Sequence, residues 1–162
     1  MRMENTMSTE AVRETREMQL ATFYLGDLRF GVDILEIQEI NRQRDLTLVP
    51  HTPCHVRGVI NLRGEVVSVL DLRTILGLGR IEFERQTRNI ILRPDGEPVG
   101  LLVDRLSDVL SIDANQLDPA PANISGVDAR FMLGVHQLDS ELIVVLRIDE
   151  LFAPVEGVTS AG

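Results

Sequence analysis

The chain is 162 residues long, 44% apolar and 25% charged, with 16 basic residues against 25 acidic ones and a formal net charge of −9. That is enough chain for one ordinary domain or two very small ones, and enough apolar content to exclude wholesale disorder. An acidic chain without a run of Lys or Arg is a poor partner for polyphosphates, and apolar stretches such as Val66–Leu70 and Leu142–Leu146 fall far short of the roughly 18 to 20 residues needed to cross a bilayer.

The single cysteine, Cys54, cannot form an internal disulfide, and the first residues lack the apolar core of a signal peptide, so a cytoplasmic location is expected. Residues 1–17 are polar without an apolar period and read as a flexible tail. Ala21–Leu25 and Leu28–Val32, joined by Gly26-Asp27, read as a hairpin, because Gly and Asp accept the positive φ that tight turns demand. Further short strands are expected at Val56–Leu62, Glu65–Leu70, Asn89–Arg93, Val99–Asp104, Val109–Ile112 and Glu141–Ile148. Short helical pieces are expected at Leu72–Leu76, before Gly77, and at Asp149–Phe152, before Pro154. Many short strands at turn spacing predict an all-β sandwich or barrel. One domain over 18–155 is expected, with 156–162 as a flexible end.

An internal repeat organises that domain. The stretch Gly58–Leu70 superposes without gaps on Gly134–Leu146, a shift of 134 − 58 = 76, with identical Gly, Val, Leu, Glu, Val and Leu. Each copy runs into a short helical piece, and each is preceded by a Gly-started strand and an acidic amphipathic stretch, Gly31–Ile40 or Gly100–Val109. Strands share Val and Leu by chance, but two signals in the same order favour duplication. Each half alone buries too little surface, so two pseudo-repeated subdomains packed on one another are expected, over about 25–85 and about 18–24 plus 86–155, with Arg80–Arg88 as the join.

No GxSxG or GxxxxGK[ST] pattern occurs, and Gly77-Leu78-Gly79 reads as a helix stop rather than a dinucleotide loop. His51, Cys54 and His55 lie close together, but Pro50 and Pro53 deny them a helix and no second ligand cluster follows, so no metal is expected. His136 stands in the repeat where Ile60 stands in the first copy, the setting of a half-buried strand histidine. In Val59–Glu65, Asn61 and Arg63 sit at a turn between core-forming strands. Two readings stay open there: a rigid recognition tip, or a charge that solvates the turn and pairs with a nearby acid. Asp33–Ile40, alternating acids with Ile and Leu, is equally a half-buried amphipathic segment or a partner-facing one.

The blocks Phe30–Ile40, Arg57–Val67 (with GVINLRG), Val69–Arg73 (with DLR) and Gly100–Leu110 resemble, in order, the signature blocks of CheW-like chemotaxis coupling proteins. The resemblance spans Leu20 to Phe152. It implies an all-β fold of two intertwined, SH3-like five-stranded β-barrels with short helical pieces, no catalysis and no cofactor. It further implies an adaptor that joins the cytoplasmic tip of a methyl-accepting chemoreceptor to the regulatory domain of a chemotaxis-type histidine kinase, in arrays at the inner face of the membrane. Ile37, Glu39, Gly58 and Arg63, with their block neighbours Ile40, Asn61 and Gly64, match the partner-binding positions. Mechanistically, an apolar groove would receive a partner while Glu39 and Arg63 fix its orientation through rim charges. The chain departs from the family pattern at Pro53–Val56, at Ser68 and at Arg147, which fits an adaptor of a sibling pathway controlling pili, surface sensing or cyclic-nucleotide output. A ligand-binding barrel with a pocket around His51, Cys54 and His55, and a purely structural β-domain, are the competing readings.

Overall fold

The computed structural model describes residues 16–152; the expected tails at 1–17 and 156–162 fall, except for residues 16 and 17, outside the described residues. Strands β1 (Glu17–Leu25) and β2 (Leu28–Asp33) form the first hairpin, turning at Gly26 with φ 61°. Asp33 ends β2 by accepting the Leu35 N–H at 3.0 Å, which opens one 3-10 turn at Ile34–Glu36. There follow β3 (Ile37–Asn41), β4 (Val56–Leu62), β5 (Glu65–Asp71) and helix α1 (Leu72–Leu76). Asp71 caps α1 by accepting the Thr74 N–H at 3.2 Å, and Gly77, at φ 78°, ends it. The second half runs β6 (Arg88–Leu92), β7 (Val99–Val103), β8 (Arg105–Asp113), a small hairpin of β9 (Asn123–Ile124) and β10 (Val127–Asp128), then β11 (Met132–Leu138), β12 (Glu141–Leu146) and α2 (Ile148–Leu151).

The strands make two five-stranded sheets, ordered β3-β6-β7-β5-β4 and β11-β12-β2-β1-β8. The repeat explains both. β1 to β5 and α1 correspond to β6, β7, β8, β11, β12 and α2, and each sheet combines the first hairpin of one repeat with the last three strands of the other. The junctions are the two parallel pairings, where Val69 faces Gly100 and Val145 faces Gly31 at equivalent positions. Each sheet also curls. Thr47, just beyond β3, exchanges two 2.9 Å backbone hydrogen bonds with Val59 on the opposite edge, and Asp118 and Val135 do the same in the second sheet at 2.9 and 3.0 Å. The expected intertwined pair of five-stranded units is therefore present.

The subdomain boundaries expected from the sequence need correction. β2, placed with residues 25–85, belongs to the second sheet, and β6 and β7, placed with residues 86–155, belong to the first. A cut near Gly26 separates β1 from β2, but six antiparallel residue pairs from Leu20↔Asp33 to Leu25↔Leu28 hold them together. The expected join, Arg80–Arg88, is packed against the first unit: Ile81 and Thr87 are buried, and Asp71 accepts the Ile81 N–H at 2.9 Å. The acidic stretch 33–40 becomes the 3-10 turn and edge strand β3, and the strand expected at Val109–Ile112 is the end of the longer β8.

One apolar interior serves both sheets. Phe23 and Phe30 stack at 6.0 Å and share a buried cluster with Val67, Ile90, Leu101 and Val144. Each such side chain contributes about 1.5–3 kcal/mol on burial, so neither sheet is stable without the other. Asp104, at the crossover between them, accepts Gly26 N–H at 2.6 Å and Arg73 Nη2 at 2.8 Å, tying the first hairpin to α1.

Candidate functional site

The β4–β5 hairpin closes with the pair Leu62↔Glu65, leaving Arg63 (φ 51°) and Gly64 (φ 90°) as a two-residue turn in left-handed backbone. Asn61 Oδ1 accepts the Gly64 N–H at 3.1 Å and fixes the turn. Arg63 therefore projects from a rigid tip, 68% exposed. Because the sheet curls, the tip reaches the opposite edge strand, and Arg63 Nη2 donates to Glu39 Oε2, whose side chain is 25% exposed. The Arg63 hydrogen bond holds the Glu39 carboxyl below its ordinary value, and Glu39 in turn raises Arg63. Both sequence readings of Arg63 meet here: it pairs with an acid, and that acid is Glu39.

A second bridge lies beside the first. Arg93, just beyond β6, donates to Gln38 Oε1 at 2.5 Å and to Glu65 Oε1 at 2.6 Å, linking the outer strand to the hairpin. Ile40 (37% exposed) and Val66 (69%) add apolar surface on the same strands. Sequence reasoning missed Arg93, Gln38, Glu65 and Val66. A signal was present in the alternation Val67-Ser68-Val69, which puts Val66 on the same outward face as Ser68.

The other expected site residues act through the backbone or the core. Gly58 has φ 150°, and a Cβ there would lie 2.7 Å from the Thr47 carbonyl oxygen, so only glycine lets Thr47 pair with β4. Ile37 is half-buried against the core. Of the seven positions, Ile40, Asn61, Arg63 and Gly64 are exposed, Glu39 and Ile37 are half-buried and Gly58 is buried; Asn61 and Gly64 shape the turn that carries Arg63.

His51, Cys54 and His55 do not converge on a site. Cys54 is exposed, whereas His55 is buried with Nε2 unpartnered, and burial lowers its pKa. Among the described residues no group of three or more His, Cys, Asp or Glu side chains could hold a metal ion.

The second unit repeats the site with altered charge. Shifts of 69 (100 − 31) and 76 place Asp108 at the position of Glu39, Asp139 at that of Arg63 and Gly134 at that of Gly58. Its hairpin tip is pinned by Glu141, which accepts Tyr24 Oη at 2.5 Å and Arg29 Nη1 at 3.0 Å, while Arg105 stacks 4.1 Å over Tyr24. The Tyr24 hydrogen bond, then Arg29, lowers the Glu141 carboxyl, and the same bond raises Tyr24.

Comparison with known proteins places this architecture. The CheW-like domain family matches residues 19–156. The chemotaxis protein CheW of Klebsiella aerogenes is 33% identical over 143 residues, covering 88% of this chain and 86% of that one. The CheW of Thermotoga maritima is 35% identical over 138 residues (84% and 88%), and protein FrzA of Myxococcus xanthus 31% over 143 (87% and 89%). The crystal structure of the scaffolding protein TtCheW from Thermoanaerobacter tengcongensis superposes with a TM-score of 0.77 at 31% identity, covering 83% of this chain and 87% of that one.

Proposed function

This chain belongs to the CheW-like domain family, and on that premise we propose that it is a non-catalytic adaptor coupling the cytoplasmic tips of chemoreceptors to the regulatory domain of a chemotaxis-type histidine kinase. The observation that carries this reading is Arg63. Left-handed backbone disfavours arginine and suits Gly or Asn, so the side chain, not the turn, accounts for an arginine there. Glu39 then orients its guanidinium, and Ile40 on β3 and Val66 on β5 expose apolar surface on the strands that carry the pair and its turn. Such a patch supplies what transient recognition needs: an apolar centre for affinity and rim charges for orientation and encounter rate. Signal transfer requires no chemistry in the adaptor, only different contacts in the kinase-on and kinase-off arrangements.

No helix among the described residues is long and apolar enough to cross a membrane; in this reading the receptors hold the adaptor at the inner face. Calorimetric titration with the kinase regulatory domain from the same genome tests the role. Binding with a negative heat-capacity change, weakened by Arg63→Glu, is expected. A folded sample that binds neither that domain nor a receptor tip overturns it. The similarity to FrzA fits a second reading, an adaptor of a sibling pathway controlling pili, surface sensing or cyclic-nucleotide output. Titrating the kinase domains of each pathway side by side decides between the two.

A further inference from the structure

Two polar side chains stand inside the second sheet's hairpin, Arg29 at 6% exposed and Thr22 at 1%. A buried guanidinium is costly unless its donors are matched, and these are. Arg29 Nη1 donates to Glu141 Oε1 at 3.0 Å, the one carboxylate it pairs with among the described residues, while Nε and Nη2 donate to Thr22 Oγ1 at 3.3 and 2.9 Å. The Thr22 hydroxyl donates in turn to the Asp108 carbonyl at 2.5 Å. Glu141, Arg29, Thr22 and Asp108 lie on β12, β2, β1 and β8, successive strands of one sheet, so the side chains cross it from strand to strand.

The far end of this relay is a bulge. From Ala21↔Val109 to Phe23↔Leu106, β1 advances 23 − 21 = 2 residues and β8 109 − 106 = 3, and within that irregularity the Asp108 carbonyl takes its hydrogen bond from a side chain. The first unit has a bulge at the equivalent place. From Ile37↔Leu92 to Glu39↔Ile91, β3 advances 39 − 37 = 2 residues and β6 92 − 91 = 1, and the shift of 69 sets Gln38 and Glu39 at the positions of Ser107 and Asp108. There too an arginine joins the bulge to the Glu that opens the hairpin: Arg93 reaches Gln38 and Glu65, and Glu65 is the counterpart of Glu141 (141 − 76). The two arginines do not correspond, since position 93 − 69 = 24 is Tyr24. The same link is made by different residues, over the surface in one unit, where the Arg93 side chain is 39% exposed, and through the interior in the other, where that of Arg29 is 7%.

We propose that each arginine is a coupler that ties the hairpin carrying its unit's tip to the bulge of the opposite edge strand, and that in the second unit Glu141 positions the Asp108 peptide through Arg29 and Thr22. Without the Glu141 carboxylate the buried guanidinium has no counter-charge and turns toward water, which loosens its hold on Thr22 and, through it, on the bulge. The two margins of each unit's outer surface then shift together when either is displaced.

The test reads the Asp108 carbonyl carbon by nuclear magnetic resonance in the full chain, because a carbonyl's chemical shift follows the hydrogen bond it accepts. Glu141→Ala is expected to shift it, with the carbonyls of Leu110 and Ser111 further along β8 unmoved. Thr22→Ser, which keeps the hydroxyl, should preserve that response, and Thr22→Val, which removes the hydroxyl at the same shape, should abolish it. An Asp108 carbonyl indifferent to Glu141→Ala overturns the proposal, as does a response that survives Thr22→Val or is lost in Thr22→Ser. Should Thr22→Val not fold, the exposed link answers the same question: Glu65→Ala should shift the Gln38 side-chain amide, and Arg93→Gln should abolish that response. A Gln38 response unchanged by Arg93→Gln overturns the proposal. The readout involves no kinase or receptor, so its failure is distinct from failure of the adaptor role.

Discussion

Gly58→Ala and Gly134→Ala test how the two curled sheets are built. At Gly58 the added Cβ falls 2.7 Å from the Thr47 carbonyl oxygen, inside any real contact, and the residue keeps φ 150°. The Thr47–Val59 pair, two hydrogen bonds of 2.9 Å, must open. At about 1 kcal/mol per hydrogen bond and about 1–3 kcal/mol for the backbone strain, the loss sums to about 3–5 kcal/mol. Gly134 repeats the clash, at 2.9 Å from the Asp118 carbonyl oxygen, but carries no positive φ, so its loss is about 2 kcal/mol. Urea denaturation of both variants should return this order, with Gly58→Ala lowering Tm by roughly 6–20 °C. Because the sites lie in different units, the double variant should add to within about 0.5 kcal/mol. If Gly58→Ala keeps wild-type stability and loses only partner binding, Gly58 is a contact residue and the backbone account fails.

Arg63→Asn should raise Tm, because asparagine tolerates the left-handed turn, while weakening kinase-domain binding in calorimetry; lower stability would show that the Glu39 pair outweighs the strain. Glu39, depressed by Arg63, contributes stability that is full above its ordinary value of 4.5 and lost as pH falls through its lower folded value, so Glu39→Gln should flatten that part of the acid unfolding profile. Tyr24 should ionise above 10.0 by ultraviolet titration, and Glu141→Gln should bring it back toward that value. His55 is buried and lowered by desolvation, so stability should fall as pH drops below 6.5, where the unfolded chain takes up the proton first. His55→Gln should remove that slope in stability measured from pH 7 to 5.

The repeat was legible because burial and close packing repeat the same residue types. Gly58 and Gly134 both admit a crossing strand, and both outer hairpins open on a Glu that is pinned from the other repeat. The intertwining came only from the family resemblance, since nothing in 20–33 itself distinguishes pairing with β8 and β12 from pairing with β3 and β5. That choice is made by contacts distant in sequence. β3 escaped as a strand because its residues alternate between exposed and half-buried without a buried one, the pattern of an edge. The Arg63–Glu39 pair could be read only as one of two alternatives, because it depends on the curl of the sheet and not on spacing.

The shared hairpins bear on where such a chain comes from. A single repeat standing alone would hold a hairpin on one side and three strands on the other, with no parallel partner for β5 or β2. Two separate copies exchanging hairpins would satisfy each other completely, as in a domain-swapped homodimer. The chain has the geometry of such a dimer fused head to tail through residues 77–87, with an Arg–Glu pair at one tip and two aspartates at the equivalent positions of the other. Fusion frees the two faces of a symmetric ancestor to recognise different partners, which a homodimer cannot do.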